Sequence, residues 1–361
     1  MDHQEKRRHD SQTIARLPSI AYVLITQSDS QFNEMTNPQK IIIYISFIFF
    51  LCSFGSGTFP GAEITNGIVH AGFYLPDKDV GYYRGTRFDW SGVMPVLEYK
   101  GHSYCGQWFP KYEPTLHDAT MGPVEAFTPL GYDSANPSES FVLIGVGRLL
   151  KKDNQPYSPF RYYEITDGGD WKTEIQKDRI IFRQQIRGSG FAYDYKKTCT
   201  LIKGKPDLVL AHTLKNTGQQ VIETNVFDHN FLSIDQQTTG PDFEIIFPFS
   251  LVDKKEGQGL NPLAGINGQR IQFTRAFQKN EIVYTVLEGY NSTPADYLIK
   301  MENHRTGAAV SITADRPLSK LVFWACSTAI CPEPYLHLKI KPGDSVSWNL
   351  SYHFYSCHIK S

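Results

Sequence analysis

The chain has 361 residues, with 36 Lys and Arg against 37 Asp and Glu, so its formal net charge is −1 at neutral pH. A chain with this balance lacks the positive surface that binds nucleic acid, and we expect no nucleic-acid partner. Hydrophobic residues make up 41%, and they include 23 Phe, 20 Tyr and 5 Trp. That is enough for one large domain with a sizeable core.

Residues 35–57 are typical of a signal peptide. Lys40 precedes an apolar run at 41–54 (IIIYISFIFFLCSF), and three small residues follow it. The run is short for a membrane span and has the length of a signal-peptide core. We therefore predict that translation starts at Met35, that residues 1–34 are upstream of the true start or disordered, and that the protein is secreted or periplasmic. It would meet a membrane only through this segment; an N-terminal anchor helix is the alternative.

The sequence pattern of residues 58–361 predicts a single all-β domain. From about residue 64, short segments of alternating apolar and polar residues are separated by Gly, Pro, Asn and Asp, and no helical periodicity or linker interrupts them. Many antiparallel strands without helices predict a sandwich or barrel. The segment 82–131 is irregular and rich in Gly and aromatic residues, as functional loops often are. The predicted strands are 141–146, 180–186, 193–202, 208–214, 220–227, 243–247, 282–287, 308–313, 321–326 and 345–355.

The cysteines predict neither a disulfide framework nor a zinc site. Five follow the predicted signal peptide, an odd number at irregular spacing, with no C-x-x-C pair and no cluster of His and Cys along the chain. One or two disulfides after export remain open. These positions are Cys105, Cys199, Cys326, Cys331 and Cys357.

Glu333 stands between two prolines, Pro332 and Pro334, just after the apolar run 321–326. Proline fixes φ and removes a backbone donor, so this step is predicted to end strand pairing and to hold the chain extended. A glutamate held there is either a solvated turn residue or a positioned acid or base.

Polar residues in three other segments are candidates for a site. His229 lies between Asp228 and Asn230 in an otherwise apolar segment, and two arginines precede a His-Asp pair. Each has a purely structural alternative: a satisfied core histidine, arginines paired with Asp89, and a histidine that caps a turn. The two arginines are Arg84 and Arg87, and the His-Asp pair is His117 and Asp118.

Taken in order, these motifs resemble the galactose mutarotase-like (aldose 1-epimerase) superfamily. The resemblance rests on His229 in its strand, on Glu333-Pro334-Tyr335, and on the closing segment 342–348 (PGDSVSW). Exported members carry Y-x-G-x-R-F-D-W-S-G and G-P-V-E-x-F, here residues 83–92 and 122–127. The resemblance covers residues 64–355 and implies a large antiparallel β-supersandwich.

The resemblance also implies roles for the candidate residues. Glu333 would be the general base that takes the proton from the C1 hydroxyl of a sugar, and His229 the acid that protonates the ring oxygen. His117 resembles a second histidine that binds the sugar, although Asp118 stands where the family has glycine. Arg87 and, less closely, Arg84 resemble a substrate-binding arginine. This chemistry needs neither a metal nor an organic cofactor, and the partner would be a free sugar or an oligosaccharide.

The same fold supports other functions. A non-catalytic carbohydrate-binding protein is one alternative. A polysaccharide lyase or a hydrolase-associated domain is another, and Tyr83, Arg84 and Arg87 are compatible with the lyase.

Overall fold

The structure, a computed structural model, describes residues 59–359. The predicted N-terminal extension and signal peptide lie outside this range. Within it the chain forms β-strands and two short 3-10 helices, Ile234–Gln236 and Pro294–Tyr297, with no α-helix. No helix in residues 59–359 is long and apolar enough to cross a membrane. The all-β prediction is confirmed.

The described residues form 23 strands. In chain order they are β1 (Gly61–Thr65), β2 (Val69–Tyr74), β3 (Val96–Tyr99), β4 (His102–Ser103), β5 (Gly122–Phe127), β6 (Ser140–Leu143), β7 (Gly147–Leu150), β8 (Ile165–Asp167), β9 (Asp170–Ile175), β10 (Arg179–Ile186), β11 (Tyr193–Leu201), β12 (Asp207–Asn216), β13 (Ile222–Phe231), β14 (Phe243–Ile246), β15 (Val252–Asp253), β16 (Ala264–Asn267), β17 (Arg270–Phe273), β18 (Ile282–Glu288), β19 (Ile299–Asn303), β20 (Ala308–Ala314), β21 (Lys320–Cys326), β22 (Ile330–Ile340) and β23 (Ser345–Ser356).

Two large sheets dominate the architecture. A ten-stranded sheet has the order β16-β17-β14-β19-β20-β23-β12-β11-β10-β9, and a six-stranded sheet has the order β15-β18-β21-β22-β13-β5. Two smaller sheets, β1-β2-β3-β4 and β6-β7-β8, accompany them. Every strand pair in these sheets is antiparallel.

The six- and ten-stranded sheets pack face to face. Tyr352 of β23 donates a hydrogen bond to Asp228 of β13, and Nε2 of His212 on β12 lies 2.7 Å from Oε1 of Glu125 on β5. Since these contacts join strands of opposite sheets, the domain is the predicted antiparallel sandwich.

Period-two alternation is the reason the long strands form where they do. In β23 the side chains of Trp348, Leu350, Tyr352 and Phe354 are buried, while those between them are exposed or half-buried. One face therefore packs in the core and the other meets water. The predicted strand 345–355 is confirmed, and those at 180–186, 193–202 and 208–214 lie within two residues of β10, β11 and β12.

The prediction that the two prolines end strand pairing is wrong. Residues 330–340 form one strand, β22, in which Pro332 and Pro334 pair with Phe323 and Leu321 of β21. The amide of Ser319 donates to the carbonyl of Tyr335, so the odd-numbered residues direct their backbone groups toward β21. The missing proline donors therefore fall on the β13 side. There the pairing stops after Phe227–Tyr335 and resumes only at Leu232–Ile330.

A side chain fills part of this gap. The side-chain nitrogen Nδ2 of Asn230 donates to the carbonyl of Pro332 at 3.0 Å. The prolines thus interrupt backbone pairing on one side of β22 and leave the strand extended, as the sequence predicted.

Candidate active site

A cavity of about 580 Å³ opens on the six-stranded sheet and contains four of the six predicted site residues. They are Glu333 of β22, His229 of β13, and Arg87 and Asp118 from the irregular segment 82–131. Most of the remaining wall is aromatic. Its aromatic members are Trp108, Phe127, Tyr157, Phe160, Phe227, Phe231, Tyr284, Trp324 and Tyr335.

His229 and Glu333 face each other across neighbouring strands. The pairs on either side of the gap, Phe227–Tyr335 and Leu232–Ile330, set His229 opposite Glu333 in register. Nε2 of His229 lies 3.2 Å from Oε1 of Glu333. The two residues are 3% and 5% exposed, which rules out the solvated-turn interpretation of Glu333.

Burial perturbs both members of this pair in opposite directions. Loss of solvent raises the pKa of Glu333 to about 7, although Arg87 acts against the shift. Burial, and then the charge of Arg87, lower the pKa of His229 well below its usual range. Each shift favours the neutral form of the buried group. When the pair holds a single proton, that proton therefore rests on Glu333 and not on His229.

Aromatic packing fixes the orientation of the imidazole. The His229 ring stacks on Phe231, with 3.8 Å between ring centroids, and meets the edge of Phe88 at 5.5 Å. Its Nδ1 is buried without a hydrogen-bond partner among residues 59–359. A core histidine with satisfied hydrogen bonds is therefore not what the structure shows; the nitrogen with a polar neighbour is the one that faces Glu333.

Arg87 pairs with Asp118, not with Asp89. Its guanidinium donates to Oδ1 of Asp118 and lies over the Phe160 ring at 4.9 Å. Burial opposes ionisation of Asp118, but His117 and Arg87 outweigh it and lower the pKa of this carboxyl. The site thus contains a permanent cation whose counter-ion is already in place.

Two predicted residues lie outside the cavity wall. His117 is next to it: its Nδ1 lies 3.0 Å from Oδ2 of Asp118, and its ring contacts Phe160. Arg84 is directed elsewhere and donates to the carbonyl of Asp79 at 2.6 Å. Tyr83, considered above for lyase chemistry, is buried and donates to the carbonyl of His117.

Solved structures identify the fold. The GalM/aldose epimerase homologue from C. elegans aligns with 84% of this chain and 100% of its own, at 13% identity and a TM-score of 0.53. A putative aldose 1-epimerase from Escherichia coli K12 aligns with 82% of this chain and 99% of its own, at 13% identity and a TM-score of 0.51. The chain has the galactose mutarotase-like fold. No family model and no curated protein matches it, and identities this low establish the fold alone.

On this mutarotase-like scaffold, a buried charged cluster lies behind the site, between the two large sheets. Lys197 of β11 is completely buried; it donates to Glu125 and, at 3.1 Å, to the carbonyl of Ser91. The other oxygen of Glu125 faces His212. A side chain at Gly92, where φ is +85°, would lie 2.7 Å from the Lys197 ammonium. The segments 83–92 and 122–127 therefore meet around one lysine.

Burial and neighbouring charges shift the pKa values of the carboxyls in this cluster in opposite directions. Burial opposes ionisation of Glu125, but Lys197 and His212 outweigh it and lower its pKa to about 2. Burial raises the pKa of Asp89 and of Asp228 to about 7, and the charge of Glu125 adds to both shifts. One buried carboxylate is thus ionised beside its lysine, while its two neighbours favour the protonated form.

Lys197 and His212 were not predicted from the sequence. Lys197 follows Tyr193 and Tyr195 in the buried register of β11, and His212 follows Leu208 and Leu210 in that of β12. A charged or polar residue in a row of core positions is the signal that identifies such a cluster, because an unpaired charge is costly to bury.

Proposed function

We propose that the protein is an aldose 1-epimerase-type enzyme that interconverts the anomers of a free sugar or of the reducing end of an oligosaccharide. One observation carries the proposal: a buried glutamate with a pKa raised to about 7 lies 3.2 Å from a buried histidine, inside a cavity of about 580 Å³. Paired groups of this kind in a concave, largely aromatic site are expected of acid–base catalysts.

The chemistry requires one base and one acid on the two sides of the anomeric carbon. The Glu333 carboxylate takes the proton of the C1 hydroxyl while the ring oxygen accepts a proton from His229, so the bond between C1 and the ring oxygen breaks and C1 becomes a carbonyl. After rotation about the bond to C2, the ring oxygen attacks the other face of the carbonyl, and both protons return.

The pair supplies the required protons without an external donor. Glu333 protonated beside neutral His229 differs from ionised Glu333 beside protonated His229 only by a proton shift along their 3.2 Å contact. The second form is the reactive one. It is a minor tautomer in the empty site, because burial favours the neutral forms.

The rest of the cavity suits a neutral sugar. The indoles of Trp108 and Trp324 meet edge to face at 5.5 Å between centroids and offer apolar surfaces to the C–H faces of a pyranose. Arg87 and Asp118 offer charged hydrogen-bonding groups to hydroxyls. We further propose that the substrate is met outside the cytoplasm, on the basis of the signal-like segment 35–57.

Anomer exchange measured by NMR on a panel of free aldoses tests the function. Wild-type protein should exceed the buffer rate for at least one sugar, and Glu333→Gln should lower that rate by about a hundredfold or more, because Gln keeps the shape but cannot take the proton. Glu223→Gln is the matched control, since Glu223 is an exposed carboxylate of the same sheet that pairs with Lys339.

Sugar affinity, followed by the intrinsic tryptophan fluorescence to which Trp108 and Trp324 of the cavity contribute, separates catalysis from binding. If wild-type protein binds a sugar but leaves its exchange at the buffer rate, the enzyme proposal fails and a carbohydrate-binding function replaces it.

A further inference from the structure

A second cluster of ligand-type side chains lies where β19 and β23 of the ten-stranded sheet end, outside the cavity. One ligand atom each from Glu302, His304 and Cys357 lies within 4.8 Å of the others. Glu302 belongs to β19, His304 follows that strand, and Cys357 follows β23. None of the three lines the 580 Å³ cavity.

The burial and hydrogen bonding of His304 are those of a metal-binding histidine. It is 6% exposed, and its Nδ1 lies 3.0 Å from the carbonyl of His358. Since a carbonyl only accepts, Nδ1 carries the proton, and Nε2 is left to act as a donor of its lone pair. Nε2 is buried and has no hydrogen-bond partner in residues 59–359. A carbonyl on one ring nitrogen and an open second nitrogen is the usual arrangement of a metal-binding histidine.

The distances around Nε2 fit a tetrahedral ion. Nε2 of His304 lies 3.6 Å from Oε2 of Glu302 and 3.6 Å from Oε2 of Glu244. Two ligands at zinc–nitrogen and zinc–oxygen distances of about 2.1 Å, at tetrahedral angles, are separated by about 3.4 Å. The contact with Glu302, the carboxylate proposed as a ligand, is long for a direct hydrogen bond and close to the spacing across a shared cation.

A hydrogen bond from behind orients the carboxylate of Glu302. Tyr355 donates to Oε1 of Glu302 at 2.8 Å, which leaves Oε2 directed at His304. Glu244 already accepts hydrogen bonds from Arg270 and Gln272, so it is better placed as an outer neighbour than as a full ligand. Three protein ligands then remain, with a fourth position open to water.

We propose that Glu302, His304 and Cys357 form a zinc site. A thiolate, an imidazole and a carboxylate form a donor set that suits Zn²⁺ and excludes Mg²⁺ and Ca²⁺, which take oxygen ligands. The spacing of residues along the chain did not predict this site, because the fold brings Cys357 to residues more than fifty positions earlier.

Bound zinc would fasten the end of the chain to the β19–β20 hairpin. The amide of Cys357 already donates to the carbonyl of Gly307 in that hairpin at 2.8 Å. Coordination adds a link between the same two segments and stabilises the folded form by mass action, since the ligands are not assembled in the unfolded chain.

Metal titration of the full chain, purified under reducing conditions, tests the site. Zinc should bind with a stoichiometry of one per chain and raise the melting temperature, and Co²⁺ in its place should show a thiolate-to-cobalt charge-transfer band. Cys357→Ser should abolish that band, and His304→Gln should weaken zinc binding by more than the 10- to 100-fold typical of losing an outer partner. Cys326→Ser changes a half-buried cysteine outside the cluster and should keep both properties.

If wild-type protein binds no stoichiometric zinc, or if its cobalt form lacks the thiolate band, the proposal is overturned. His304 is then a buried histidine beside two carboxylates and holds no metal. A Cys357→Ser variant that does not fold leaves the wild-type cobalt spectrum to decide. The readouts are independent of sugar turnover, so failure of the proposed enzyme function does not affect them.

Discussion

The pH dependence of catalysis is the sharpest prediction from the Glu333–His229 pair. From the roles that the sequence predicts, the enzyme would lose activity at acid pH because Glu333 becomes protonated, and at alkaline pH because His229 loses its proton. The structure reverses this order, because the pKa of Glu333 is raised from 4.5 to about 7 and that of His229 is lowered well below its usual range. Ionising Glu333 in the empty site costs about 3 kcal/mol more than in water.

In the proposed mechanism the two groups titrate as a unit, and the active form carries one proton between them. The upper pKa of the unit is about 7. We therefore expect kcat/KM to have dropped to about half of its plateau value near pH 7 and to fall further above it, approaching tenfold per pH unit as the shared proton is lost. The assay is sugar-anomer exchange by NMR from pH 5 to 9, with the buffer-catalysed rate subtracted at each pH. Glu223→Gln should keep this profile.

The opposite profile would refute this reasoning. If kcat/KM rises through pH 7 and stays level above it, the ionised carboxylate of Glu333 is sufficient, and the shared proton has no role in the reaction.

Three further predictions follow from the charges around the site. Arg87→Gln removes the cation that lowers the pKa of Glu333, so the alkaline fall in kcat/KM should move to higher pH in the same assay. Lys197→Met leaves the carboxylate of Glu125 buried without its cation, so the free energy of unfolding measured in urea should fall by about 3–5 kcal/mol. Adding Glu125→Gln should restore part of this loss. Full retention of stability in Lys197→Met would contradict the buried ion pair. The buried carboxyls of Asp89, Asp228 and Glu333 have a pKa raised to about 7. Above about pH 4 and up to pH 7, the folded protein therefore keeps protons on them that the unfolded chain has released. The lowered pKa of His229 acts in the opposite direction and cancels one of these protons. Their stabilising contribution is therefore lost as pH rises toward 7, and the free energy of unfolding should increase when the pH is lowered from 8 to 5.5, by about 1.4 kcal/mol per pH unit for each net proton.

The sequence predicted the strands whose two faces meet different surroundings. β23 and β12 alternate apolar and polar residues because one face packs in the core and the other is wet. β22 was missed, although its sequence has a clear alternation after Tyr335. The rule that proline interrupts a sheet was applied to the whole strand, whereas in an antiparallel ladder it concerns only the neighbour that the missing donor faces.

Side chains that the fold brings together from distant segments were harder to predict. His229 and Glu333 were recognised through their motifs, and the register of β13 and β22 then places them in contact. The partners of Glu125 have no local pattern of their own, since Lys197 and His212 come from β11 and β12 of the opposite sheet. The pairing of Arg87 with Asp118 instead of Asp89 likewise depends on loop geometry that spacing does not contain.

Alternation along β13 links the buried cluster to the site. Asp228 and His229 are consecutive, so their side chains lie on opposite faces of the six-stranded sheet. The hydroxyl of Tyr352 on the opposite sheet forms hydrogen bonds with both Asp228 and Asn230, and it donates its single proton to one of them at a time. These bonds hold β13 on both sides of His229, in the stretch where the prolines of β22 remove backbone pairing. The proposed catalytic histidine lies on a strand whose backbone ladder is interrupted, so it needs another source of rigidity, and the side chains behind the sheet supply it. The interruption and the buried polar groups are therefore two parts of one arrangement that presents His229 to Glu333.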